Sequence, residues 1–179
     1  LRLVNMRFEC VGAIDLLEFN ICNNVEILNC DFAPADNDVV SAISTVNSSW
    51  LTIRNCRFSS PATDNGFDYC LYAAGGSNKN LHCALIENNI FDGMDGDGTA
   101  IHIEALCTAS QTVIRNNLIM IRGAGIGIDD DSDQAMVIEN KIFHNGGTPL
   151  DVNASLSLMN MLSDDGTVTW SPTIAGLSA

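Results

Sequence analysis

Six residues, Ile53-Arg54-Asn55-Cys56-Arg57-Phe58, carry a pattern of branched aliphatic, any, Asn, any, any, Phe that returns along the whole chain. Copies start at Leu3, Ile27, Ile53, Ile86, Ile114 and Ile138, with an eroded echo at Leu158, Asn160 and Met161. The steps between starts are 24, 26, 33, 28 and 24 residues, a period at which one supersecondary unit stacks on the next. A chain built this way is a stack of coils.

Before each Asn the residues alternate. Val25 and Ile27, Leu51 and Ile53, Ala84 and Ile86, Thr112 and Ile114, and Met136 and Ile138 share one side, as on a strand with one buried face. After the Asn the alternation restarts, so the Asn sits at a corner. Asn tolerates left-handed backbone better than other non-glycine residues, and one Asn per coil can stack as an amide ladder: Asn5, Asn29, Asn55, Asn88, Asn116, Asn140. A third short strand follows in most coils, as in Cys70-Leu71-Tyr72, Ile101-His102-Ile103 and Ile126-Gly127-Ile128. Three strands per turn with Gly, Asp and Ser-rich connections define an all-β solenoid, a single-stranded parallel β-helix of six to seven coils.

The segments LTIRNCRF, ALIENNIF, TVIRNNLI and MVIENKIF resemble the repeats of right-handed parallel β-helix proteins, the architecture of pectate lyases, polygalacturonases and phage tailspikes. The resemblance implies a right-handed helix. It leaves function to the site, because that fold hosts lyases, hydrolases, epimerases and inert structural proteins.

Outward columns test the register. Arg54, Glu87, Arg115 and Glu139 precede their Asn and alternate in charge, as do Arg7, Asp31 and Arg57. Two further outward columns are apolar: Leu85, Val113 and Val137, and Ile90, Leu118 and Ile142. Either the loops and the tail from Leu156 to Trp170 fold over them, or another subunit does, and a trimer is the expected assembly. We expect one domain over 1–179, with coils to residue 162 and a covering tail over 163–179. Because Leu1 opens inside a repeat, a fragment of a longer chain is also expected.

With 8 basic against 22 acidic residues, net −14, the chain is unsuited to nucleic acid, whose binding rests on neutralising phosphates, and to anionic membranes. No apolar run reaches the length of a membrane span, so no membrane insertion is expected. An acidic polysaccharide fits only with a bridging cation such as calcium. The seven cysteines are odd in number and lack a C-x-x-C pair, which points to apolar thiols in a core that folds in a reducing cytoplasm.

Three groups of residues can carry chemistry. Asp92, Asp95 and Asp97, interleaved with glycines, form either a calcium loop or a turn built from Asp and Gly for local reasons. Glu104, Asp129 and Asp131, with His102 and Asp151, should form a stepped row on one outward face. Similarity to the β-helix glycosidases implies a carboxylate pair on such a face, with Glu104 as general acid and Asp129 or Asp131 as base. The same acids also suit a solvated loop beside an ordinary strand. Tyr69 and Tyr72, at the base of the long loops of the third coil, either stack on a sugar ring or pack those loops onto the body.

These features favour a structural and recognition module of a phage tailspike-like or virion-surface protein, binding glycan or a partner protein through its loop-bearing face. Such a protein would be virion-bound or extracellular after folding. The alternatives are a polysaccharide-degrading hydrolase and a secreted bacterial adhesin; the balance leans away from an enzyme.

Overall fold

A computed structural model describes residues 1–171 apart from 11, 13, 35–38, 60–65, 77–78, 96–97, 133, 153–155 and 165–166, and leaves the side chains of residues 10, 93–95, 170 and 171 undescribed. Three sheets run the length of the molecule. The first stacks Arg2–Val4, Asn23–Leu28, Ser48–Arg54, Leu85–Glu87, Val113–Arg115, Met136–Ile138 and Leu156–Leu158, with Leu81–His82 also paired to Ser48–Arg54. The second stacks Arg7–Cys10, Asp31–Pro34, Arg57–Ser59, Ile90–Asp95, Leu118–Arg122, Lys141–Asn145 and Asn160–Asp164. The third holds six strands: Asp15–Asn20, Val39–Val46, Phe67–Ala73, Thr99–Ile103, Ile126–Asp130 and Thr148–Val152. Pairing within each stack is parallel. Six strands in the third sheet make about five full turns with partial coils beyond, slightly fewer than the six to seven expected.

Each coil sends one large residue inward at the same height. Phe8, Phe32, Phe58 and Phe91 stack face to face with centroids 4.9, 4.8 and 4.7 Å apart, the spacing of adjacent parallel strands. The column continues as Ile119 and Ile142. Phe32, Phe58 and Phe91 are fully buried, which stabilises the fold by about 1.5–3 kcal/mol for each ring.

The corner uses two positions. The outer one is left-handed in every coil: Asn5, Asn29, Asn55, Asn88 and Asn116 have φ between 53° and 57°, and Glu139 and Met159 hold the place at 57°. Amides of Asn29 and Asn55 donate to the Oδ1 of Asn5 and Asn29, each at 3.3 Å. The inner position is buried and begins with thiols, Cys30 and Cys56, then passes to Asn89, Asn117, Asn140 and Asn160. Each of these Asn side chains donates to a carbonyl of the preceding coil at 2.8–3.1 Å and accepts from the preceding inner residue.

Asn140 therefore belongs to the inner ladder, and the register expected for the last coils is off by one. Asn-Asn corners at 88–89 and 116–117 give way to Glu139-Asn140, so aligning on the first Asn shifts everything after it. Ile114 pairs with Val137 rather than Ile138, and Arg115 faces Ile138 instead of Glu139. Val137 and Ile142, expected outward, are both 0% exposed, while Phe143 is 41% exposed. The first apolar column runs Leu85, Val113, Met136, Leu156. The charge ladder survives where the register does: Glu87 lies 2.5 Å from Arg54 and 2.7 Å from Arg115.

From Leu156 the described residues extend the stacks. Leu156–Leu158 and Asn160–Asp164 continue the first and second stacks, and Thr167–Ser171 turns back antiparallel on Asn160–Asp164. Among the described residues no helix is long and apolar enough to cross a membrane.

Candidate functional site

The outer face of the third sheet collects the polar and aromatic residues singled out above. Strand stacking aligns Glu18, Ser44, Tyr72, His102, Asp129 and Asp151 in one column. A second column places Tyr69 between Ser41 and Thr99. The hydroxyl of Ser41 donates to Asp15 beside it.

Three rings form a platform at the centre. Tyr69 and Tyr72 have centroids 5.1 Å apart, and His102 lies 5.2 Å from Tyr69 and 5.8 Å from Tyr72. All three are partly buried, His102 with 13% of its side chain exposed, and His102 stacks against both tyrosines. Such rings stack on apolar faces of a ligand while their polar atoms stay wet.

Two carboxylates flank the platform in different states. Glu104 accepts from the Tyr72 hydroxyl at 2.5 Å and from the Gly75 N–H at 2.7 Å. The tyrosine hydrogen bond, helped by the Gly75 N–H, His102 and Lys79, holds its carboxyl below the usual range against the opposing effect of burial. The Tyr72 hydroxyl is pushed up, first by burial and then by its bond to Glu104. Asp129 Oδ2 sits 2.7 Å from His102 Nδ1. Burial nonetheless raises its carboxyl, with Asp131 and Asp151 adding to the rise and His102 opposing it.

Glu104 held ionised by two donors is poorly suited to the general-acid role expected of it. Of the two, Asp129 is the carboxyl that burial keeps closer to protonation. Asp131 lies exposed in the turn after its strand, its N–H donating to the Ile103 carbonyl at 3.0 Å. Asp151 is exposed at the end of the column. The same acidic run hides a structural residue that the sequence did not single out. Asp130 is 0% exposed, and its carboxylate accepts from the N–H of Ser132 and of Ala135 at 3.1 and 3.2 Å, tying down the turn.

Sequence reasoning also missed Gly75. An added Cβ there would lie 2.1 Å from the Ala105 carbonyl oxygen and 2.8 Å from Glu104 Cβ, so only glycine lets the two chains approach closely enough for the bond to Glu104. The signal was the Gly75-Gly76 pair in a loop, without anything to say what it approached.

The remaining candidates lie elsewhere. Asp92 binds Arg57 at 2.6 Å and Arg122 at 3.2 Å, an arrangement that competes with calcium for its oxygens. The Asp95 side chain and Asp97 lie outside the described residues, as does most of the loop from Ser59 to Asp68. Among the described residues no three His, Cys, Asp or Glu side chains group as a metal site. His82 contacts the Ser110 hydroxyl at 2.6 Å and His144 the Gly146 carbonyl at 2.9 Å, both away from the platform.

A parallel solenoid of three sheets, bearing one aromatic and acidic face, is the class that this geometry defines. A family model for the right handed beta helix region matches residues 41–169, well over half of the chain, and the chain belongs to that family. No curated protein and no solved structure matches it.

Proposed function

We propose that this chain is a glycan-recognition module, of the kind a phage tailspike or virion surface carries, with the Tyr69, Tyr72 and His102 platform as its binding surface. The observation that carries this reading is the clustering of three partly exposed rings, with centroids no more than 5.8 Å apart, on one face of the solenoid. Sugar rings present C–H faces that stack on aromatics, and their hydroxyls find acceptors in Glu104, Asp129 and Asp151. Little reorganisation is needed, because Tyr72 is already fixed by Glu104 and His102 by Asp129. The apolar column Leu85, Val113, Met136 and Leu156 supports assembly through a different face of the solenoid.

Calorimetric titration with an oligosaccharide panel tests the reading. A ligand should bind the native protein and lose most of its affinity on Tyr69→Ala, with the fold intact by circular dichroism. Equal affinity of the variant for every binder would remove the platform from the account.

A glycoside hydrolase is the second reading, favoured by the opposite displacement of the two carboxyls. It reverses the expected roles, with Asp129 as acid and Glu104 as base or nucleophile. Under it, Asp129→Asn should keep binding and stop release of reducing ends; in a pure recognition module neither protein releases any.

A further inference from the structure

The platform is set in a one-signed field. Four carboxyl groups act on its tyrosines, Asp15, Asp68, Glu104 and Asp129, and Asp131 and Asp151 act in turn on Asp129. Among the described residues, the cationic groups whose field reaches Glu104 and Asp129 are Lys79 and, when protonated, His102. Two of the acids touch the rings' own partners: Glu104 bonds Tyr72, and Asp129 bonds His102.

Resting on the glycan reading above, we infer that the saccharide bound by Tyr69, Tyr72 and His102 carries a free ammonium group, as in a glucosamine oligomer. An ammonium near the ring faces gains from the negative π-cloud and from Glu104 and Asp129 together. A uronate in the same place meets the carboxylates of Glu104 and Asp129 beside the rings. An N-acetylated sugar keeps the stacking and loses the charge.

The Tyr69 hydroxyl registers the same field: it is pushed up first by burial and then by Asp68, Glu104 and Asp129. The chain as a whole, net −14, adds long-range attraction for cations, so the inference needs a test that separates site from bulk charge.

A glucosamine trisaccharide, its fully N-acetylated form, a galacturonate trisaccharide and trilysine would be titrated into the native protein, Tyr69→Ala and Asp129→Asn. The amino trisaccharide should bind about tenfold tighter than the N-acetylated one, a difference within reach of one ring-faced ammonium. Raising salt from about 20 to about 300 mM should shrink that margin, and both variants should reduce it. Tighter binding of the N-acetylated or galacturonate form overturns the inference and leaves the glycan reading intact. Trilysine binding as tightly as the amino sugar, or a preference untouched by both variants, also overturns it, since bulk charge then explains the preference. Failure of every saccharide to bind overturns the glycan reading and this inference with it.

Discussion

The Oδ1 atom of Asn140 accepts from both the backbone N–H and the side-chain Nδ2 of Asn117, each at 3.0 Å. Both residues are buried, and the same two bonds link Asn89 to Asn117 and Asn140 to Asn160. The Asn117 side chain thus closes four buried groups: the N–H and amide of Asn89, the Ile86 carbonyl and the Asn140 Oδ1. Replacing Asn117 by Ala takes the acceptor from the Asn89 N–H and side-chain amide and the donor from the Ile86 carbonyl, while Asn140 Oδ1 keeps the backbone N–H of residue 117; a buried unmet group costs about 1–3 kcal/mol. We expect Asn117→Ala to lower stability by about 3–5 kcal/mol in urea unfolding, counting two to three such groups with partial relaxation. Asn116→Ala, which loses only left-handed preference at an exposed corner, should cost about 1 kcal/mol.

Glu87 bridges Arg54 and Arg115 with its own carboxylate nearly buried, at 7% side-chain exposure. Its removal leaves the guanidinium groups on the coils before and after it without their shared carboxylate. Glu87→Ala should destabilise by about 1.5–3 kcal/mol, the range for hydrogen bonds to charged groups. Glu26→Ala, at the exposed pair with Arg2, should change the urea midpoint little. Equal effects at the two sites would contradict the role given to burial.

Titration of the candidate site has two opposed signs. The Glu104 carboxyl lies below its usual range in the folded protein, so it contributes stability at neutral pH that is lost as pH falls through its folded pKa. Asp129 lies above its usual range, so folding disfavours its ionised form, and protonation on acidification restores stability. At pH 7 Glu104→Gln should therefore lower the urea midpoint, whereas Asp129→Asn should hold or raise it. Asp129→Asn should converge toward the native protein as pH drops to about 4, near the usual carboxyl value, whereas Glu104→Gln should converge only below that, because the folded Glu104 carboxyl lies under its usual range.

Burial pushes the Cys56 and Cys107 thiols up to about 11 and the Cys70 thiol higher still. Thiolate is the reactive form, so these three should resist Ellman's reagent at pH 8 in the folded state. Cys22 and Cys83, part-exposed, should be modified first, and urea should release the rest. Mass spectrometry of tryptic peptides identifies which thiols reacted.

How far the sequence could be read depended on what repeats. Strand alternation, the Phe column and the outer Asn corner recur in most coils, and each recurrence confirms the last, so the three-sheet solenoid was legible. The two-residue corner was not, because Cys30 and Cys56 occupy the same buried place as Asn89 and Asn117 without sharing their chemistry at sight. That ambiguity cost the register at Val137 and Ile142. On the third sheet, alternation alone brought His102, Asp129 and Asp151 together. The protonation preferences of Glu104 and Asp129 were beyond it: they depend on Gly75 from the coil before and on burial that no local pattern states.

Tyr69 and Tyr72 are the chain's two tyrosines, so carbon-13 labelling of tyrosine reports on the platform alone. Ring resonances would be followed by NMR while neutral and amino-bearing oligosaccharides are added. The account predicts that both rings shift together, saturably, with at least one saccharide class, and that Asp129→Asn weakens the response to the amino-bearing one. Saccharide binding seen by calorimetry while both tyrosines stay still would contradict it, and would move recognition off this face.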